Sequence, residues 1–461
     1  MSTETKAPTL RENKMGVMPT GKLLFTMALP MIIAMLVQAL YNIVDSLFVS
    51  WYSADAMTAL GLAFPVQNIL IGFATGIGVG VNSLLSKSLG ENNQKAANRA
   101  AGNGLFLVFI ATALFMLFGI FGSRPFFAIQ SENAATVEYG TKYITICCLG
   151  SLGIFVEVLG ERLLQSSGRT FYTLITQGTG AVVNIILDPI LIWGVPALGI
   201  PAMGVVGAAV ATVIGQWLAA ILAVIFNLKC NPDVQFSLAA IRPKKSAIAP
   251  ILTVGIPSII MVGIGSIMNF TMNQILQGMD PTETAVKVFG IYFKLQSFFF
   301  MPLFGINNAT ISIVAYNYGA RNSKRITGTL LRACLSALAV MLLGLLIFQI
   351  FPDQLLSIFN LSDEFMLQGR SALRIISICF PSAAFGIALS ASFQALGNGI
   401  YSTIVSICRQ LLVLLPAAYL LSLTGQVSNI WWSFPIAECV SLAVTVLLYS
   451  NIHRKKIKTM E

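Results

Sequence analysis

Seven ionisable residues lie inside long apolar runs of the chain, where a charge is costly and marks a functional candidate. They are Asp45, Glu157, Glu161, Asp188, Lys294, Arg409 and Glu438. Tyr41 and Asp45 are four residues apart and would share one face of a helix, and Asn184 and Asp188 repeat that spacing. Pro189 follows and frees a backbone carbonyl one turn earlier. Two carboxylates, an amide and a phenol at similar depth can hold a hard cation through oxygen ligands, or share and release a proton.

Simpler roles are open for each of these groups. The two aspartates could do no more than hydrogen-bond to a neighbouring helix. Glu161 and Arg162 lie near the expected end of an apolar run, where we expect their charged groups to be solvated or paired. Lys294 could line a cavity or extend its amine to the outer surface. Arg409 and Glu438 could pair with each other, although no spacing argument supports this.

The elements that must position these groups are membrane-spanning helices. Of the 461 residues 56% are hydrophobic and only 10% are charged, whereas a soluble protein has about 25% charged residues. Apolar runs of about 20 residues are long enough to cross a bilayer as helices. We therefore predict an all-α integral membrane protein with twelve transmembrane helices. The predicted spans are residues 23–49, 58–87, 97–122, 136–164, 169–193, 203–227, 247–276, 283–316, 326–350, 365–394, 398–423 and 427–450.

The basic residues are distributed unevenly over the predicted loops. If both termini are cytoplasmic, the cytoplasmic segments hold most of the 28 Lys and Arg residues, as the positive-inside rule requires. A net charge of +10 placed in this way indicates membrane orientation, and no nucleic-acid partner is expected. The polar segment before the first span lacks the pattern of a cleavable signal peptide. We expect a multi-pass membrane protein with both termini in the cytoplasm.

The sequence contains an internal repeat with an offset of 229 residues. Matched pairs are Gly61 and Gly290, Gln67 and Gln296, Ser83 and Ser312, and Gln165 and Gln394. Because each half has six spans, both halves start on the same side, which predicts two six-helix lobes related by a parallel repeat around a shared cavity. The predicted division is a cytoplasmic N-terminal segment 1–22, a first lobe 23–227, a cytoplasmic linker 228–246, a second lobe 247–450 and a basic cytoplasmic tail 451–461.

Ion chemistry is expected in the first lobe, because the second half has no carboxylate to match Asp45. The corresponding part of span seven contains Asn269 and Asn273 instead. Flexible Met and aromatic Phe side chains suit a cavity that accepts many shapes, and aromatic faces favour organic cations. The candidates for lining the cavity are Gln38, Gln67, Gln165, Asn269, Asn273, Lys294, Gln296 and Met301.

The usual sequence marks of an ATP-driven pump or an enzyme are missing. The chain has no Walker sequence, zinc-protease helix or nucleophile elbow. The seven cysteines have no metal-ligand spacing and are interpreted as small buried residues. We therefore predict no enzyme activity and no cofactor. The ion held by the first-lobe carboxylates would be a proton or sodium.

Six short segments spread over nearly the whole chain carry a family resemblance. They are Ala28 to Pro30, Tyr41 to Asp45, Gln165 to Arg169, Asn184 to Pro189, Gly204 to Thr212 and Gln394 to Asn398. Together they resemble the MATE (multidrug and toxic compound extrusion) transporters, within them the bacterial MepA-like and DinF-like branch. The resemblance implies two six-helix lobes, a V-shaped cavity that alternates in access, and proton or sodium antiport that expels amphipathic, usually cationic drugs.

The resemblance also implies where the ion binds. The first-lobe cation site of the DinF-like branch falls on Asp45, Asn184 and Asp188, with Tyr41 nearby and Thr212 as a further ligand. Members of the NorM-like branch carry a key acid in span seven, which this chain lacks. Such transporters usually work as monomers. Two alternatives stay open, a lipid-linked sugar flippase of the same superfamily and a non-transporting membrane scaffold or receptor.

Overall fold

The computed structural model describes residues 13–235, 238–280, 284–359 and 363–460. These residues are almost entirely helical, and the single β-bridge among them joins Val195 to Ile200. Ten helices are long and apolar enough to cross a membrane, and two bent helix pairs bring the number of spans in the described residues to twelve. The predicted all-helical membrane fold is confirmed.

We number the spans α1 to α12. They are α1 Thr20–Tyr52, α2 Ala54–Gly90, α3 Gln94–Gln130, α4 Ala134–Leu149 with Leu152–Ser166, α5 Thr170–Trp193, α6 Val205–Cys230, α7 Lys245–Met279, α8 Thr284–Gly319, α9 Ser323–Ile350, α10 Asp363–Ser377 with Phe380–Ala395, α11 Gly399–Ser422 and α12 Val427–Met460. Most spans extend a few residues beyond their predicted ends. The prediction followed the apolar residues alone, whereas the helices continue into the flanking polar residues. The last helix runs through most of the predicted basic tail.

Two spans are bent, which the apolar pattern did not reveal. α4 bends by 47° and α10 by 48°, at positions that the repeat relates to each other. In α10 the bend has a local cause, because Pro381 has no N–H and its ring opposes the carbonyl of Ser377. In α4 the break falls at Gly150, where a Cβ would lie only 2.5 Å from the side chain of Val213 in α6.

The two halves of the chain meet at one end of the bundle and part toward the other. In α2, residues 74–90 are buried around most of the helix, whereas over residues 54–70 only every third or fourth residue is buried. The repeat-related α8 behaves in the same way, with residues 305–317 buried nearly all round and residues 284–303 buried on one side. We call the joined end, where α2 and α8 both terminate near Lys87, the basic end. The space between the halves at the opposite end is called the cleft.

Glycines bring the backbones of the two halves together at the basic end. A Cβ at Gly76 of α2 would lie 2.7 Å from the carbonyl oxygen of Gly255 in α7. One turn further along α2, a Cβ at Gly80 would collide with the carbonyl oxygen of Ile251. Only glycine, which has no Cβ, allows the backbones of α2 and α7 to approach this closely.

A buried hydrogen-bond cluster also joins the halves near the basic end. Asn82 Oδ1 accepts from the hydroxyl of Ser312 in α8 at 3.0 Å and from Ser166 in α4 at 2.8 Å. Ser83 donates to the carbonyl oxygen of Gln394 in α10 at 2.8 Å. Several further hydrogen bonds between the two halves, in the described residues, also lie toward this end.

A short helix before the first span, Lys14–Val17, is seated across the seam between the halves. Asn13 donates to the carbonyl oxygen of Ser167 in the first half, at 3.4 Å. Arg325 of α9 donates to the carbonyl oxygen of Met15 at 2.9 Å, and the Met15 side chain is fully buried. Asn13 and the helix Lys14–Val17 therefore close the basic end against both halves.

Three charged groups surround this seam outside the spans. Arg169 and Asp233 form an ion pair with 3.7 Å between Nη2 and Oδ2. Burial, followed by the nearby Arg169, lowers the pKa of the Lys14 amine, and burial raises the pKa of the Asp233 carboxyl against the opposing effect of Arg169. Both pKa shifts arise mainly because the Lys14 and Asp233 side chains are partly buried in the protein and so are less hydrated.

Candidate functional site

The two predicted carboxyl groups of the first half lie against each other. Asp45 of α1 and Asp188 of α5 are within hydrogen-bonding reach. Asp188 is fully buried and Asp45 is half-buried. Because two ionised carboxylates this close would repel strongly in a dry interior, the pair requires a shared proton or a cation.

Amide and hydroxyl groups complete this arrangement. Asn184 Nδ2 lies 3.3 Å from Asp188 Oδ1 and 3.4 Å from Thr212 Oγ1 of α6, so the predicted set comes together. Asp45 Oδ1, Asn184 Oδ1 and Asp188 Oδ2 are buried and have no hydrogen-bond partner. Buried oxygens of this kind are normally satisfied, and three free acceptors at one place could hold a proton or a hard cation.

Small residues allow α6 to approach α5 closely enough for this contact. A Cβ at Gly215 of α6 would lie 2.8 Å from the carbonyl oxygen of Gly180 in α5 and 3.4 Å from Asn184 Cβ. Thr212 is three residues before Gly215 and so lies near the same face. The close packing of Gly215 against Gly180 therefore places the Thr212 hydroxyl near Asn184.

Tyr41 connects the carboxyl pair to a third acid. It lies near enough to Asp45, Asp188 and Glu157 of α4 for electrostatic interaction with each of them. Gln38 is three residues before Tyr41 on the same face of α1. The phenol and Gln38 thus belong to the interior of the first half rather than to its outer surface.

At the end of α4, where solvated or paired side chains were expected, both Glu161 and Arg162 are buried and have hydrogen-bond partners. Glu161 is 3% exposed, and its two carboxylate oxygens accept from Thr176 Oγ1 and Gln177 Nε2 of α5, each at 2.9 Å. Arg162 is also buried and donates to Gln165 Oε1 at 2.9 Å. Neither side chain is solvated, because α5 packs over the end of α4 and supplies the donors for Glu161. The polar Thr176–Gln177 step within an apolar run was the available signal.

Three other predicted polar residues have partners within their own half. Gln67 of α2 donates to the hydroxyl of Tyr143 in α4 at 2.9 Å. In the second half, Arg409 Nη1 and Glu438 Oε1 are 3.1 Å apart, which confirms the suggested ion pair. Arg409 lies in the π-helical segment Cys408–Leu414, a local widening of α11 that the sequence did not predict.

Two asparagines of α7 fall on the side of the cleft. Val262 packs 3.4 Å from the Cβ position of Gly72 in α2, which fixes the face of α7 that points toward the first half. Asn269 and Asn273 follow Val262 by two and three helical turns on that face. Asn269 donates to the carbonyl oxygen of Gly265 at 3.1 Å, and Asn273 Oδ1 has no hydrogen-bond partner.

The predicted cavity residues of α8 separate into two groups. Gly305 packs against Ile32 of α1, with a Cβ position 2.9 Å from Ile32 Cγ1, so this face points toward the first half. Met301 and Lys294 lie one and three turns before Gly305 on the same face and therefore line the cleft. Gln296 is rotated by about 200° from Lys294 and faces the second half.

These features define a class of protein. Two bundles of membrane-spanning helices, related by a parallel repeat and joined at one end only, are the architecture of a secondary transporter. A buried carboxyl pair within one bundle adds the groups that such transporters use for ions.

The chain belongs to the MatE family. The family model matches residues 30–190 and 257–420, which together make up more than half of the chain. The protein is therefore a MATE transporter and not an enzyme. Its spans place it in a membrane.

Individual relatives match along nearly the whole chain. A protein named FAD transporter from Shewanella oneidensis is 25% identical over 91% of this chain and 92% of its own length. The multidrug export protein MepA from Staphylococcus haemolyticus is 23% identical over 94% of both chains. Among solved structures, a MOP superfamily transporter from Pyrococcus furiosus has a TM-score of 0.90 at 26% identity, covering 98% of this chain and 99% of that one. An outward-facing multidrug resistance MATE transporter gives the same values.

Proposed function

We propose that this protein exports amphipathic organic compounds across the bacterial inner membrane in exchange for protons or sodium. The observation that carries the proposal is the Asp45–Asp188 pair with its three unpartnered oxygens. The two carboxylates can take up a proton, and together with the amide and hydroxyl oxygens they can instead coordinate sodium, so both ions are candidates. Exchange requires only that the ion and the exported compound favour opposite states of the transporter.

The proposal includes alternating access, which the joining of the two halves at the basic end supports. The positive-inside rule supports a cytoplasmic basic end with both termini on that side, so the cleft would open outward in the described state. Opening toward the cytoplasm would separate Ser312 from Asn82 and release the helix Lys14–Val17. The division into lobes 23–227 and 247–450, linked by residues 228–246, is part of this proposal, as is a monomer in which each chain holds both lobes.

Amphipathic, mostly cationic compounds are the substrate class that we propose to test first. The basis is the aromatic content of the chain, since aromatic faces attract organic cations. The relatives named for multidrug export and for FAD support a range of organic compounds rather than one.

The proposal is tested with purified protein in vesicles that contain a fluorescent organic cation. Proton and sodium gradients are imposed separately. Transport driven by one gradient supports antiport and identifies the ion. If neither gradient moves this dye or an anionic one, antiport is wrong, and the lipid-linked sugar flippase or the scaffold becomes the better interpretation.

Replacing Asp188 by Asn should weaken ion coupling without unfolding the protein. The amide keeps the shape and one acceptor but removes a charge from the pair, so we expect about tenfold more ion to be needed for half-maximal transport. The measurement is the dependence of efflux on ion concentration. Asp353→Asn is the matched control, since Asp353 forms an exposed ion pair with Arg370. An unchanged ion dependence in Asp188→Asn would exclude this carboxyl from the site.

A further inference from the structure

The second-lobe wall of the cleft carries a positive charge on an otherwise apolar stripe. Starting from Gly305, which packs against the first lobe, the same face of α8 continues through Met301, Phe298, Lys294 and Lys287. Phe298 is 38% exposed and both lysines are exposed. Lys294 lies ten residues after the start of α8 at Thr284, about 15 Å along the helix.

The amine of Lys294 has no ion-pair partner within the described part of the chain. The acids of the site do not serve it, because Asp45 lies on the α1 face that meets α5, away from the cleft. Asp280 ends α7 on the side of the cleft, but it is buried and accepts the backbone N–H of Ala285 at 2.9 Å. The positive charge of Lys294 is therefore available to a ligand.

The opposite wall supplies no compensating charge. On α2 the face that begins at Gly72 continues through Ile69, Pro65 and Gly61, all of them uncharged. On α1 the face that begins at Ile32 continues through apolar residues as far as Leu47. The α7 wall contributes only the neutral amides of Asn269 and Asn273. Among the described residues, the cleft walls are thus mostly apolar, with two neutral amides and positive charge on one side.

We propose that Lys294 binds an anionic group, a carboxylate or a phosphate, on the exported compound, so that the cleft accepts amphipathic anions and zwitterions as well as cations. The apolar body of such a compound would pack on Phe298 and Met301, which lie one and two helical turns from Lys294 toward the basic end. Asn269 and Asn273 would donate to its neutral polar atoms. The inference rests on the proposed function, because it names a substrate class for the same cleft.

The test compares two rhodamine dyes that share one ring system, a cationic ethyl ester and its zwitterionic free acid. Efflux from vesicles and equilibrium binding to protein in nanodiscs are measured for wild type, Lys294→Gln and Lys294→Glu. Lys142→Gln is the matched control, since Lys142 is exposed and pairs with Glu138 on α4. We expect Lys294→Gln to lower the preference for the free acid over the ester by about tenfold, and Lys294→Glu to reverse it.

The outcomes separate this inference from the proposal of antiport. If gradient-driven transport persists but the preference between the dyes is the same in wild type and Lys294→Glu, the inference is overturned while antiport stands. If no gradient drives either dye, antiport fails, and the ratio of Kd values alone decides the inference. A ratio that shifts in Lys294→Glu but not in Lys142→Gln supports a contact with the anionic group, and an unshifted ratio overturns it.

Discussion

Gradient-driven efflux should be lost when Asp45 is replaced by Asn, while the protein still folds and reaches the membrane. Asp45 shares its site with Asp188 and has one buried carboxylate oxygen without a partner. The amide cannot release a proton and is a weak ligand for sodium. Truncating one member of a buried charged site costs about 3 kcal/mol, so we expect ion affinity to fall by about 100-fold.

This result is checked by efflux from vesicles under each gradient, with the amount of folded protein measured by size-exclusion chromatography. Asp55→Asn serves as control, because Asp55 lies at the start of α2, away from the carboxyl pair, and accepts an exposed hydrogen bond from Asn133. Transport by Asp45→Asn at the wild-type rate, with unchanged ion dependence, would rule out this aspartate as the coupling residue.

Substitution of Gly80 should stop transport for a mechanical reason. A Cβ at this position would collide with the backbone carbonyl of Ile251, so a side chain acts as a wedge between α2 and α7. Overpacking of this kind costs about 1–3 kcal/mol, which is enough to shift an equilibrium between two states by roughly 5–150-fold. We expect Gly80→Ala to slow efflux and Gly80→Leu to abolish it, with the transporter held open at the basic end.

Spin labels at Lys95 and Lys324, near the starts of α3 and α9, measure the separation of the lobes at that end. Their distance should increase in Gly80→Leu. Gly178→Leu is the control, because a Cβ at Gly178 of α5 meets nothing within 4 Å. A distance distribution that stays at the wild-type value would contradict the wedge.

Long apolar runs were sufficient to predict the spans, because a bilayer imposes a minimum length on every helix that crosses it. The bends could be predicted less well. Pro381 provides a local cause in α10, but α4 has no proline at its break and bends where Gly150 meets Val213 of another helix. Contacts between distant helices leave no periodic signature in either sequence segment.

For the candidate site, too, features within one helix could be predicted from the sequence, and contacts between helices could not. The four-residue spacing in α1 and α5 predicted that Tyr41 and Asp45 share a face, and that Asn184 and Asp188 do. Spacing within one helix says nothing about the donors that another helix supplies, so the burial of Glu161 under α5 was missed. The side on which Lys294 lies was also open, until the contact of Gly305 with the first lobe fixed the face of α8.

The carboxyl pair and the cleft lysine occupy different lobes, and this separation has an evolutionary consequence. A mutation in α7 or α8 that admits a new toxic compound leaves the groups on α1 and α5 untouched. Under the proposed antiport, selection could therefore revise what is expelled without rebuilding the ion chemistry on α1 and α5. The two repeat-related halves would then evolve under different pressures, one from the membrane gradient and one from the chemical surroundings of the cell.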